Sequence, residues 1–234
     1  MFKRELPFLN RMTNSNRNSV TRVWDEKCDK GWAQLMNLEH EIAVNYLLAQ
    51  TGIEIPNNAS VIDVGCANGW VLRKLVDEYK IAYGLGLDLS NKMIEEAREK
   101  SSEYKMLDFK VDGWEDIVKY SLQHGLFDVI LGVESIYFYG SVVDNIRNAF
   151  NSLKDGGYLG LNIECYNENP DSFKFDERVG ATLLHYTIQE YLPMINDAGF
   201  KIENIRSFKC HYPLEREFES WLNTYGTLII VAKK

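Results

Sequence analysis

From residue 60 onward the apolar positions alternate between two periods. Ser60–Val64 is a short apolar run that predicts a buried strand, and Val71, Leu72, Leu75 and Val76 then recur at helical spacing. Residues 82–87 read as a second strand, and Met93, Ile94 and Ala97 mark a helix capped by Ser90 or Asn91. A third strand is predicted at 106–111, a short helix at 114–120 and a fourth strand at Phe127–Val133. Val143, Ile146, Ala149, Phe150 and Leu153 form an amphipathic stripe that Asp155, Gly156 and Gly157 stop, and 158–163 is the fifth strand. Repeated strand–helix units of this kind imply right-handed crossovers and a parallel sheet covered on both faces, an α/β body.

The two ends depart from that rhythm. Residues 1–20 are polar and asparagine-rich, which predicts a mobile lead-in, and 21–49 read as two helices bearing Trp24 and Trp32. Residues 165–186 contain Pro170 and show no period, and a loop of that length inside a domain usually carries function. Thr187 then caps a helix with Ile188, Tyr191, Leu192 and Ile195 inward and Gly199 at its end. Two last strands are predicted at 202–208 and 227–232, joined by a connection containing Tyr212, Trp221 and Tyr225.

Composition narrows the class. The chain has 234 residues, 45% hydrophobic and 26% charged, which is the composition of a globular domain with a substantial core and excludes a disordered chain. Net charge is −8, from 26 basic and 34 acidic side chains with no basic run, so a phosphate backbone is a disfavoured partner and no nucleic acid is expected. The start has no apolar leader core and no stretch approaches a spanning length, which predicts a cytoplasmic protein without a membrane segment. The four cysteines (Cys28, Cys66, Cys165, Cys210) form no C-x-x-C pair, and the four histidines have no ligand spacing, so no metal site is expected.

The candidate chemistry begins where the first strand ends, in Asp63-Val64-Gly65-Cys66-Ala67-Asn68-Gly69-Trp70. A strand, a tight glycine turn and a helix follow within about twenty residues; glycine lets a ligand approach the backbone, and the helix start offers unpaired N–H groups. A dinucleotide site uses G-x-G-x-x-G, whereas here Gly65 and Gly69 are four apart, and the later Gly84-Leu85-Gly86 has Leu89 where a third glycine belongs. The motif instead resembles the first motif of class I S-adenosylmethionine-dependent methyltransferases, D/E-x-G-x-G-x-G, with Ala67 in place of the middle glycine.

That resemblance covers roughly residues 57–234 and implies a Rossmann-like, doubly wound, seven-stranded sheet whose last strand is antiparallel, with an N-terminal helical cap. It divides the chain into a helical lid at 1–50 and an S-adenosylmethionine-binding domain at 51–234, the 165–186 insert contributing to the acceptor pocket. Asp63, Gly65, Cys66, Ala67 and Gly69 would hold the cofactor, and S-adenosylhomocysteine would be the product. Asp88, ending strand two, would accept the ribose hydroxyls, with Leu89 on the adenine; Asp112, followed by Gly113, would read the adenine amino edge. Val133 would offer its carbonyl to the methionine ammonium, and Glu134 would help hold that group or face the acceptor. Trp114 either stacks on the base or opens a helix.

Strand four continues as Glu134-Ser135-Ile136-Tyr137-Phe138-Tyr139 rather than the Asn/Asp-Pro-Pro-Tyr of base N-methylating enzymes, which moves the acceptor towards a hydroxyl, carboxylate or amine of a small molecule or peptide. Methyl transfer from a sulfonium is an in-line displacement, so alignment and exclusion of water carry it, with a base needed only for a protonated nucleophile. His185, Glu134 and Tyr137 are the candidate catalytic residues, and Arg178 or Arg216 can anchor an acceptor carboxylate. Two other readings use the same motifs: a nucleotide-dependent oxidoreductase, and a non-catalytic S-adenosylmethionine-binding partner protein.

Overall fold

The apolar run that opens the pattern is strand β1 (Ser60–Val64), with every residue but the first buried. Its side chains divide by parity: Val61 enters one apolar core, Ile62 and Val64 the other. Burial on both faces explains why the strand reads as a continuous apolar run. The computed structural model of the chain describes residues 14–209 and 224–234.

After β1 come α3 (Trp70–Tyr79), β2 (Tyr83–Asp88), α4 (Asn91–Lys100), β3 (Leu107–Val111), α5 (Ile117–His124), β4 (Phe127–Val133), α6 (Val142–Ser152) and β5 (Leu153–Ile163). Preceding them are α1 (Asn14–Asp29) and α2 (Met36–Gln50); α7 (Lys174–Val179), α8 (Ile188–Asp197), β6 (Lys201–Phe208) and β7 (Thr227–Lys233) complete the chain. The sheet order is β3-β2-β1-β4-β5-β7-β6. Strands β1 to β5 pair in parallel, and β7 runs antiparallel to both β5 and β6. This is the doubly wound α/β sheet with an antiparallel last strand that the motif resemblance implies.

Helices α2, α3 and α4 cover one face through Val44, Leu47, Leu72, Leu75, Ile94 and Ala97, and α5, α6 and α8 cover the other through Ile117, Ile146, Tyr191 and Ile195. Each fully buried Leu or Ile contributes about 2 kcal/mol by leaving water. Helix α8 starts where Thr187 and Glu190 cap each other's backbone N–H groups, as its sequence predicts.

Three boundaries differ from the sequence pattern. Helix α1 begins at Asn14, within the stretch read as a mobile lead-in; residues 1–13 lie outside the described ones. Strand β5 begins at Leu153, and its pairing with β4 breaks register between Phe127 and Val129, so the Asp155-Gly156-Gly157 helix stop sits in an irregular strand start. Residues 165–186 contain a 3-10 turn (Pro170–Phe173) and α7, whose six residues are too few to print a helical period. Tyr212, Arg216 and Trp221 lie outside the described residues.

Segment 14–50 is tied across the carboxyl edge of the sheet. Asp25 accepts hydrogen bonds from the Ser90 hydroxyl and, at 3.4 Å, from the Lys92 backbone N–H, while Lys92 pairs with Asp29. Asn68 donates its side-chain amide to the Ala33 carbonyl, and Gln34 donates to Glu96 at 2.9 Å. The Lys27 ammonium lies 4.2 Å from the Trp24 ring, 5.3 Å from Trp32 and 4.9 Å from Phe175, joining α1 to α7 through cation–π contacts.

Candidate active site

Strand order reverses between β1 and β4, and in an open parallel sheet the crevice outside the carboxyl ends at that point is where ligands bind. A cleft of about 650 Å³ opens there, lined by Asp63, Gly65, Cys66, Ala67, Asp88, Leu89, Val133 and Glu134 from the strand ends, with Trp70, Val71 and Met93 behind them. Val20 and Trp24 of α1, His40 of α2, and Ser135, Phe138 and Tyr139 complete the walls.

The glycine turn is held against the end of β2. The N–H groups of Gly65 and Cys66 both donate to the Leu87 carbonyl, at 2.7 and 2.9 Å. The Ala67 N–H donates to one oxygen of Asp88 at 3.0 Å, and the Ser90 N–H donates to the other at 2.9 Å. Gly65 has φ +82°, and a Cβ there would stand 2.3 Å from the Cβ of Ser135, so both dihedral and space require glycine. Ala67 adopts φ +46° without being glycine. Gly69, outside the cleft lining, sits at φ +77° before α3, where a Cβ would meet the Phe109 ring at 2.7 Å.

Below the turn lies an unusual charge. Asp63 is 1% exposed, and neither carboxylate oxygen has a hydrogen-bond partner among the described residues. Burial, reinforced by the nearby Asp88, pushes its carboxyl up to about 7; burial also lifts Asp88 to about 6 against the hydrogen bonds that favour its anion. Two neighbouring buried acids that resist ionising would be stabilised as anions by a cation beside them.

At the other end, Glu134 occupies the left-handed region at φ +50° just past β4. Its carboxylate accepts from the Glu164 N–H at 2.7 Å, the Tyr137 hydroxyl at 3.0 Å and the Thr227 hydroxyl at 3.2 Å. Burial raises it to about 7 despite those donors. Burial, then the Lys27 charge, lowers His40 to about 4, leaving a neutral imidazole. The sequence spacing offers no metal-ligand set, yet the fold brings one atom each of His40, Glu134 and Glu164 within 4.8 Å of one another.

Several residues predicted from sequence stand elsewhere. Asp112 is engaged by Lys119 at 2.7 Å and by the Tyr120 hydroxyl; neither it nor Gly113 lines the cleft, because the Tyr139 ring stands where a Gly113 Cβ would be. Trp114 is fully buried over Gly132 and donates to Ser135 at 3.3 Å, so it is a core residue and not a base-stacking one. Tyr137 adjoins the cleft only through Glu134, and its hydroxyl is pushed well above its usual range by burial.

His185 does not line the cleft. Its Nε2 lies 2.9 Å from Asp176, its Nδ1 3.2 Å from the Ser172 hydroxyl, and Phe173 stacks on the ring at 4.1 Å. Ser, His and Asp here have the residue types of a nucleophilic triad, but Ser172 is fully buried and its hydroxyl donates to the Asn169 carbonyl at 2.7 Å. The trio fastens the 165–186 insert. Val20 and His40 enter the cleft without having been marked by any local motif.

Comparison with known proteins sets these features beside known methyltransferases. Residues 61–157, from β1 into β5, match the profile of a methyltransferase domain. A 90-residue stretch is 30% identical to carboxy-S-adenosyl-L-methionine synthase 1 of Yersinia pseudotuberculosis, covering 38% of this chain and 35% of that protein. The chain thus spans about a third of the length of that relative. A longer match, 23% identical over 192 residues, covers 79% of this chain and 70% of 27-O-demethylrifamycin SV methyltransferase of Amycolatopsis mediterranei. Among solved structures, the methyltransferase in complex with the Haloferax volcanii Trm112 methyltransferase activator superposes with a TM-score of 0.77 at 23% identity, covering 90% of this chain and 96% of that one. No helix among the described residues is long and apolar enough to cross a membrane.

Proposed function

We propose that this chain, which carries a class I S-adenosylmethionine-dependent methyltransferase domain, transfers the sulfonium methyl of S-adenosylmethionine to an oxygen or nitrogen of a small molecule or peptide. The observation that carries the reading is the turn 65–69 clasped by the Asp88 carboxylate directly above the partnerless Asp63. Asp63 and the Val133 carbonyl take the methionine ammonium, and Asp88 takes the ribose hydroxyls through lone pairs left by Ala67 and Ser90. Leu89 and Met93 supply the apolar wall for the adenine. Asp112 and Gly113 stand one shell back, where Asp112 fixes the loop after β3.

The cofactor supplies an activated methyl; the chain's own residues align and dry the site. Trp24, Phe138 and Tyr139 shield the cleft, and the segment 14–50 acts as the lid over a domain that begins at about residue 51. In-line displacement then needs the acceptor held opposite sulfur, a role of positioning worth several kcal/mol. Among the three candidate catalytic residues, Glu134 reaches the cleft, Tyr137 supports it, and His185 secures the insert.

The test is calorimetric titration of the purified chain with S-adenosylmethionine, S-adenosylhomocysteine and nicotinamide dinucleotides, followed by an acceptor screen for methylated products by mass. Binding of the first two ligands with methylated product supports the reading. Dinucleotide binding alone would transfer the turn to the oxidoreductase reading, and tight cofactor binding without turnover on any acceptor class would leave a binding protein.

A further inference from the structure

Three elements that are distant in sequence converge at the acceptor end of the cleft: His40 on α2, Glu134 past β4 and Glu164 past β5. His40 Nδ1 lies 3.8 Å from the Glu164 carboxylate, too far for a hydrogen bond, and that nitrogen is enclosed with no hydrogen-bond partner. His40 and Glu134 both face the cleft, and the side chain of Glu164 is 13% exposed. Two carboxylates and an imidazole with a partnerless nitrogen thus lie within 4.8 Å of one another. Ligands about 2.1 Å from one centre stand roughly 3–4 Å apart, and a small side-chain adjustment closes the widest gap of 4.8 Å.

We propose that His40, Glu134 and Glu164 bind one divalent transition-metal cation, whose open coordination positions face the cleft and take an oxygen of the methyl acceptor. The donor set argues for the class of ion. One imidazole with two carboxylates suits Mn²⁺ or Zn²⁺, whereas Ca²⁺ and Mg²⁺ favour oxygen alone. Charge balance agrees, since two carboxylates neutralise a dication. The outer shell is also in place: the Tyr137 hydroxyl, the Thr227 hydroxyl and the Glu164 N–H aim the Glu134 carboxylate.

This inference rests on the methyl-transfer reading for its purpose and narrows the acceptor to an oxygen nucleophile. A hydroxyl bound to the cation loses its proton to water more readily; its oxygen then forms a bond to the methyl carbon as the carbon–sulfur bond breaks, and sulfur leaves as a neutral thioether. The products are the methyl ether, S-adenosylhomocysteine and one proton.

The experiment is titration of the chelator-treated full chain with Mn²⁺, followed by loss of the free-ion electron paramagnetic resonance signal, with Zn²⁺ competition. One Mn²⁺ per chain, displaced by Zn²⁺ and weakened at least about tenfold in both Glu164→Gln and His40→Ala, is the expected result. Circular dichroism melting and S-adenosylmethionine titration of each variant show whether it is folded. Absence of Mn²⁺ and Zn²⁺ binding in the wild type, or equal binding in folded variants, would overturn the site. S-adenosylmethionine binding without metal binding removes the metal proposal alone, while metal binding without cofactor binding removes the methyl-transfer reading and keeps the site.

Discussion

At the scale of single residues, the cleft is dominated by acids that the fold holds partly protonated. Asp63 is the clearest case, because no donor offsets its burial. Its folded carboxyl titrates near 7, while in the unfolded chain it titrates at the ordinary 3.8. Stability from this group is fully present below about pH 4 and is lost as pH rises towards 7, amounting to at most about 4 kcal/mol. Asp63→Asn keeps the shape and removes the titration. The ligand-free variant should therefore melt higher than wild type at pH 8, match it near pH 4, and bind S-adenosylmethionine at least about tenfold more weakly. A variant that melts identically to wild type across that range would show that Asp63 is not strained by burial. Gly65 gives a steric counterpart: Gly65→Ala places a Cβ against Ser135 at a positive φ, and should cost about 2–4 kcal/mol in denaturant unfolding. Asp63 and Gly65 were both legible in the sequence because the motif that carries them is seven consecutive residues. His40 and Glu164 were not, since each is placed by a different element and no local spacing connects them.

At the scale of elements, the N-terminal helices and the insert share a fastening. Lys27 of α1 is surrounded by Trp24, Trp32 and Phe175, so one ammonium links the helix that walls the cleft to α7 of the insert. Replacing it with Ala removes cation–π contacts worth about 1–2 kcal/mol in total and frees α1 to open. Lys27→Ala should speed dissociation of S-adenosylhomocysteine several-fold in stopped-flow fluorescence while leaving the global melt within a few degrees. An unchanged off-rate would mean that α1 does not gate the cleft. His185 belongs to the same fastening, through Ser172, Asp176 and Phe173. His185→Ala should increase protease cleavage within 165–186 and leave cofactor affinity unaltered; normal protease resistance with a collapsed pH–rate profile would return His185 to catalysis. The sequence marks the insert only as a break in rhythm, since a six-residue helix flanked by a 3-10 turn carries no period to read. The strand–helix repeats were legible for the opposite reason: each strand is buried on both faces and each helix has one apolar stripe.

At the scale of the whole molecule, fold and charge combine into a pH-dependent receptor. The sheet reverses direction between β1 and β4, and the crevice this creates collects Asp63, Asp88 and Glu134 within an already acidic chain of net charge −8. All three titrate upward on burial, to about 7, 6 and 7, so their anions form as pH rises from about 5 to 8. A ligand carrying a sulfonium and an ammonium favours those anions and binds with release of protons. Binding should therefore strengthen from pH 5 to pH 8, contrary to the flat behaviour of a site whose acids are ionised throughout. At one hundred times its dissociation constant, a ligand that binds only the folded state adds about 2.7 kcal/mol, which for a chain of this size raises the melting temperature by roughly 5–10 °C. That shift should appear with S-adenosylmethionine at pH 8 and largely vanish at pH 5, measured by scanning calorimetry at fixed ligand concentration. Equal shifts at both pH values would mean that the buried acids do not face the cofactor's charge, and the cleft would then hold it through backbone and apolar contacts alone.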